Sequence, residues 1–257
     1  MVGIARPGVR GAIVSVVGAV LLVTGIVGAF TLEWAFWMGP SMLVGAGLAY
    51  APWHMARGRA QARRTERVLT AWGAERGLVY QRTTGNPRTT PALKKGGGIT
   101  HVLVGEIGGD PQGFLAHYTY HEGSGKNRVA VQLSLAVARF EGREGLRVRI
   151  CPQEWRGSGG IFDDWKDFAS SSVELDDRYA IEAREGHDPV QVLELLDPVT
   201  MASLLDTAIQ PVVEIDEGTL LIMVGGHVGI SPGVDDLAWF ELLRTQADTW
   251  GARIAGI

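Results

Sequence analysis

Two uninterrupted apolar stretches open the chain, Gly11 to Leu32 and Trp34 to Ala56, separated only by Glu33. A hydrocarbon layer of about 30 Å needs roughly 20 helical residues, and lipid offers no partner to an unpaired backbone group. Each stretch therefore predicts a membrane-spanning helix, and the pair predicts a hairpin with a very short connection. Trp34, Trp37, Tyr50 and Trp53 fall near the ends of the second stretch, where amphipathic rings favour the headgroup layer. A secretory signal fits less well: the first stretch exceeds the usual apolar run of about 7 to 15 residues, no small-x-small cleavage site follows, and a second apolar stretch comes directly after.

Beyond Ala56 the pattern changes. Arg57 to Arg76 has no Pro and is rich in Ala, Arg, Gln, Glu and Leu, which predicts a helical stalk ending at Gly77. Thr83 to Gly98 turns to Thr, Gly, Pro and Lys and reads as loop. Strand patterns follow at His101 to Ile107, Phe114 to Tyr120, Val129 to Ala138 and Leu146 to Ile150. In the third, Val129, Val131, Leu133, Leu135 and Val137 alternate with Ala130, Gln132, Ser134, Ala136 and Ala138 at period two. The valine-leucine set is expected to face the helices and the other set to face solvent. Val173 to Leu175 and Tyr179 to Ala183 read as a hairpin about Asp176-Asp177-Arg178, and Val212 to Ile215 with Thr219 to Val224 as another about Asp216-Glu217-Gly218.

Helices are predicted for Val190 to Leu196 and Val199 to Ile209, each after an Asp-Pro pair that supplies an N-cap and a first-turn proline. A last helix, about Val234 to Ile254, sets Leu237, Phe240, Leu243, Ala247, Trp250 and Ile254 on one face. The expected architecture is α+β: a transmembrane helical hairpin over 1–56, a basic stalk over 57–82, and a domain over 83–257 with an antiparallel sheet and C-terminal helices.

Charge then fixes direction. Arg6 and Arg10 precede the first stretch, Arg57, Arg59, Arg63, Arg64 and Arg67 follow the second, and no basic residue lies between. Both ends are thus expected in the cytoplasm of a cell-membrane protein, a reducing compartment that suits the single Cys151. Residues 1–53 carry a net +1 and residues 54–67 a net +4, so the formal net charge of −4 leaves −9 for the remainder. An acidic domain without a basic stripe argues against nucleic acid. The five stalk arginines suit anionic lipid headgroups as well as fixing topology. Gly11, Ser15, Gly18, Gly25 and Ala29, with Gly45 and Ala49, give the spans small-residue faces for packing within the hairpin or for self-association.

The two spans, the stalk ending Trp72-Gly73-Ala74-Glu75-Arg76-Gly77-Leu78, the strand pair Phe114 to Tyr120 and Val129 to Leu135, the Asp197-Pro198-Val199-Thr200-Met201 helix start and the segment Val213 to Ile222 resemble a family of uncharacterised actinobacterial integral-membrane proteins. That resemblance implies the same architecture and carries no activity or functional residue.

Candidate chemistry is sparse. Gly123-Ser124-Gly125-Lys126 has Tyr120 and Asn127 where a phosphate loop needs Gly and Ser or Thr, and reads as a hairpin turn. His117 and His121, four residues apart on a strand at about 3.3 Å each, are too distant to share a metal; His101 on a neighbouring strand can approach one of them, but the expected role is that of solvent-facing strand histidines. Cys151, before Pro152, reads as a buried strand-end thiol. Trp155, Asp163, Asp164, Trp165 and Asp167 form an acidic, aromatic segment expected to be an exposed loop and a surface for a protein partner. No cofactor motif is found. The leading expectation is a membrane-tethered cytosolic interaction or regulatory module; the competing one is a membrane-anchored enzyme whose site draws on His101, His117, His121 and Asp163.

The arginine distribution makes topology testable: a reporter that matures only in the cytoplasm, fused after Ile257, is expected to be active. Cleavage of the C-terminal domain by protease added outside intact cells would overturn the orientation.

Overall fold

The structure, a computed structural model, describes residues 56–256 apart from 58, 84–92, 94–96, 144, 156–164, 185–188, 208 and 229–235. The apolar stretches lie outside the described residues except for Ala56. No helix among the described residues is long and apolar enough to cross a membrane. The chain divides into two compact units between Arg67 and Val68, and helical backbone, α1, occupies 59–74. Its last turn carries Leu69 and Trp72, both buried in the core of the second unit together with Leu78.

That unit is built on nine described strands: β1 (Val79–Gln81), β2 (Gly98–Ile107), β3 (Asp110–Glu122), β4 (Val129–Arg139), β5 (Val148–Pro152), β6 (Trp165–Phe168), β7 (Tyr179–Arg184), β8 (Val212–Asp216) and β9 (Thr219–Val228). They form one sheet in the order β1-β2-β3-β4-β9-β8-β5-β7-β6, with every neighbour antiparallel. β1 to β4 run as an antiparallel meander that includes the first three strands read from the sequence, whereas the fourth, Leu146 to Ile150, is β5 and pairs with β7 and β8 rather than β4. The described helices after the meander are α2 (Val173–Arg178), α3 (Pro189–Leu195), α4 (Pro198–Leu205) and α5 (Asp236–Gly256). The α+β class stands.

Local chemistry explains the boundaries. Asp197 caps α4 by accepting from the Thr200 backbone N–H at 2.8 Å, with Pro198 in the first turn. That bond holds the Asp197 carboxyl below the usual range. Glu217 and Gly218 both adopt positive φ, 49° and 71°, the conformation of a two-residue hairpin turn between β8 and β9. One predicted hairpin is corrected: Val173–Arg178 is a helix and only Tyr179–Arg184 a strand. The Ser172 hydroxyl caps the Leu175 N–H and Asp176 accepts from the Ser170 N–H. These side-chain caps outweigh the strand preference of a single Val173.

The sheet is buried on both faces, which corrects the assignment of β4. The helices pack on the face of Leu115, Ala136, Ile150, Ile215 and Ile222, where Phe240, Leu243, Ala247, Trp250 and Ile254 of α5 complete the core. Val131, Leu133, Leu135 and Val137 point the other way, into a second cluster with Phe114, Tyr118, Tyr120, Leu221 and Met223. The small set misread as solvent-facing, Ser134, Ala136 and Ala138, is buried beneath the helix layer. Size decides the matter: a helix approaches a sheet closely over small side chains, and period-two alternation alone cannot say which face it covers.

The approach is closest where α5 crosses the β2–β3 turn. Gly108 and Gly109 adopt positive φ, 61° and 86°, and the Gly108 N–H donates to Asp248 of α5 at 3.0 Å. A Cβ on Gly108 would lie 2.8 Å from the Ala247 carbonyl oxygen, and one on Gly251 would overlap the Gly108 carbonyl itself. Gly251→Ala is therefore expected to cost more than about 2 kcal/mol despite the gain of up to about 1 kcal/mol in helix propensity. Gly256→Ala, whose Cβ would meet nothing, is expected to be neutral or slightly stabilising. Denaturant unfolding of both variants checks the contrast, and equal effects would show that the contact is not rigid.

Candidate functional site

Four polar side chains meet on the helix face at the β1 end of the sheet. Tyr80 of β1 and His101 of β2 share a hydrogen bond, hydroxyl to Nδ1, at 2.8 Å. His117 of β3 and Ser134 of β4, cross-strand register partners, share another at 3.1 Å through His117 Nδ1. The two imidazoles stand edge to face with centroids 6.0 Å apart, and Phe240 of α5 lies 4.8 Å from the His117 ring. The cluster thus runs across four successive strands under α5.

Backbone irregularity brings His101 there. β2 departs from regular register between Thr100 and Leu103, and His101 has φ 54°. Left-handed backbone at a residue other than Gly costs on the order of 1 kcal/mol or more and persists only where the surroundings hold it. Here its N–H donates to the Arg82 carbonyl at 2.9 Å and its ring is bound by Tyr80.

The two ends of the cluster differ in access. His101 and Tyr80 are half-buried, whereas His117 and Ser134 are 4% and 7% exposed. Burial, followed by the neighbouring His101, pushes the His117 pKa down to about 4, so the ring is neutral near pH 7. Ser134 has a hydrogen-bonded imidazole beside it, the arrangement of an activated nucleophile, but it lies closed beneath α5. Exchange of a proton with solvent is open to the Tyr80–His101 end.

A second polar group lies on the opposite face. Arg149 of β5 sits between Glu182 of β7 and Glu214 of β8, its register partners, at 3.6 and 3.7 Å. Glu214 is 1% exposed. Arg147 pairs with Asp216 at 3.1 Å and Glu217 at 2.8 Å. Each arginine stands between two carboxylates, so neither buried Glu214 nor Asp216 lacks an opposite charge.

The residues anticipated from sequence are distributed as follows. His101 does reach His117, and the expectation of solvent-facing histidines is corrected for His117, which is buried because its face of β3 packs against Phe240 of α5, while His121 is exposed near the far end of β3. Cys151 is buried in β5 as expected. Arg57, Arg59, Arg63, Arg64 and Arg67 are exposed on helical backbone. Asp163 and Asp164 lie outside the described residues. The expected loop is corrected at both ends: Trp155 closes a 3-10 turn, half-buried against the second cluster, and Trp165 and Asp167 belong to edge strand β6, paired with Arg184 and Glu182 of β7. Phe168, packed on the core, supplies the apolar anchor that turns this acidic segment into strand. Among the described residues no three His, Cys, Asp or Glu converge as metal ligands. Tyr80, Ser134 and the Arg149 group were not anticipated. A signal existed only for the last, since Glu182 and Glu214 are carboxylates inside apolar strands.

No protein-family model, curated protein or solved structure matches the chain.

The depressed His117 pKa sets a direction for stability. The unfolded state takes up this proton near pH 6.5 and the folded state only near 4, so the stabilisation is complete above about pH 6.5 and is lost as pH falls toward 4. From pH 7 to 5 the loss attributable to His117 is expected to be about 2 kcal/mol. Urea unfolding of the full-length wild type and of His117→Gln across this range checks it: the wild type should show the steeper decline, and parallel curves would contradict a buried neutral imidazole.

Proposed function

We propose that the chain is a membrane-tethered interaction or regulatory module whose sheet domain works at the cytoplasmic surface of the cell membrane. The tether and its orientation rest on the apolar stretches and the arginines that flank them. The observation that carries the functional reading is that the polar side chains inside the domain are turned on one another. His117 is bound to Ser134, and Arg149 to Glu182 and Glu214, on a sheet buried on both faces. Chemistry enclosed in this way organises a core, and the domain acts through what it presents outward.

The presented surface we favour is the β6 edge, where Trp165 is half-buried and Lys166 and Asp167 are exposed, with the Trp155 turn nearby in sequence. An aromatic anchor beside charges is the composition of a protein-binding patch, and β6 is the outermost of the described strands on this side of the sheet. Trp165→Ala combined with Asp167→Lys is expected to remove specific partners from the full-length protein captured out of its native membrane, with the unfolding midpoint little changed. An unaltered capture profile from a folded double variant would sink this assignment.

A membrane-anchored enzyme is the second reading, and the convergence of Tyr80, His101 and His117 favours it. Under that reading His101→Gln and Tyr80→Phe abolish the chain's cellular role without disturbing partner capture, so the same capture experiment separates the two.

A further inference from the structure

The stalk arginines share a side. Arg57, Arg59, Arg63, Arg64 and Arg67 are all exposed, and the last four lie on the described helical backbone of 59–74. At about 100° per residue, Arg59, Arg63 and Arg67 recur one turn apart with Arg64 beside them, within an arc of about 140°. Gln61, Thr65 and Val68 occupy other directions; Ala60 falls within the arc, and the one carboxylate in this stretch, Glu66, lies about 20° outside it beside Arg59. The row is therefore a predominantly basic face with an acidic margin on one side.

We infer that this face binds the anionic headgroups of membrane lipid, an inference that rests on the tethered reading. A guanidinium is charged at every physiological pH and its donors match phosphate oxygens, so each of the four arginines brings a fixed positive charge that a headgroup phosphate can take up. Charge complementarity alone admits another occupant, the chain's own acidic residues, since residues 68–257 carry −9. Position favours lipid: the stalk begins directly after the apolar stretch that ends at Ala56, so Arg59 and Arg63 stand within about 10 Å of that stretch along the helix, close to the screening length of about 8 Å over which an anionic leaflet acts, and a helix lying along the surface brings Arg67 within it as well.

The test uses the full-length chain in bilayer discs of phosphatidylcholine alone or of phosphatidylcholine mixed with phosphatidylglycerol. At low salt, backbone amide exchange over 59–67 is expected to be about tenfold slower in the anionic discs, with the difference lost at high salt. The triple variant Arg59→Gln, Arg63→Gln, Arg67→Gln should show no difference between discs. Its affinity for anionic vesicles by flotation should fall about a hundredfold, at roughly fivefold per basic residue. The corresponding triple Lys variant should retain most of the binding, because headgroup attraction follows charge. Equal exchange in the two discs overturns the inference. Slowing in both discs alike, abolished by salt, also overturns it and assigns the face to the chain's own carboxylates. Failure to enter either disc defeats the tether instead, and flotation of the same protein with anionic against zwitterionic vesicles then decides the fate of the basic face by itself.

Discussion

A helix can rest directly on a sheet only where both surfaces are shallow, and α5 meets that condition at two glycines. Gly108 in the β2–β3 turn and Gly251 in the helix bring two backbones into contact with no side chain between them. Much else follows from this closeness. Ser134, Ala136 and Ala138 lie below the helix because larger side chains would lift it. Phe240, Leu243 and Trp250 then fill the room on either side, each fully buried side chain being worth about 1.5 to 3 kcal/mol. The Asp248 carboxylate, taking the Gly108 N–H, ties the turn to the helix and satisfies a buried donor. The fit carries a cost: among the described residues Trp250 Nε1 is buried without a hydrogen-bond acceptor, which typically costs about 1 to 3 kcal/mol.

Burial on both faces imposes a second requirement, that charged and polar groups inside face a complement. The sheet supplies it differently on its two sides, and on one side, among the described residues, without hydrogen bonding at Arg149 Nε, where the Glu214 carboxylate lies 3.7 Å away. Under the helices the solution is neutral: an imidazole held uncharged by its surroundings and bound to a hydroxyl. On the other face it is ionic, with Arg149 shared by two carboxylates drawn from neighbouring strands and Arg147 by Asp216 of β8 and Glu217 of the turn that follows it. Such charges are costly to bury and costlier to break, since removing one partner strands the other. They also fix register: a one-residue slip of β8 would carry Glu214 to the apolar face under the helices and away from Arg149.

Much of this architecture was legible in the residues. Period-two alternation located β3, β4, β8 and β9, the Asp-Pro pairs located α3 and α4, and the three-four spacing of Leu237 to Ile254 located α5 and its buried side. What alternation could not supply was the identity of the covering layer, because β4 carries apolar or small residues on both faces. Short elements failed for a related reason. Six residues from Val173 hold too little pattern to distinguish strand from helix, and the decision fell to Ser170, Ser172 and Asp176 bonding to nearby N–H groups. The cluster of Tyr80, His101, His117 and Ser134 was half visible. The approach of His101 to His117 follows once β2 and β3 are neighbours, but Tyr80 sits on a three-residue strand, and the register shift that turns His101 inward has no signature in composition. The charged group on the other face needed the order β7-β5-β8, which no local pattern encodes.

The short edge strand β6 has a consequence for assembly. Antiparallel pairing of two copies about a two-fold axis normal to the sheet sets residues of the same face opposite one another. Centred on the middle of β6, that operation brings Lys166 against Lys166 or Asp167 against Asp167, and like charges directly opposed repel. The flanking aromatic residues, which would reward such contact, come into register only at the cost of that repulsion or of losing most of the pairing. The order of charges along β6 thereby disfavours pairing of this strand with its own copy, a discrimination written into two side chains rather than into the backbone.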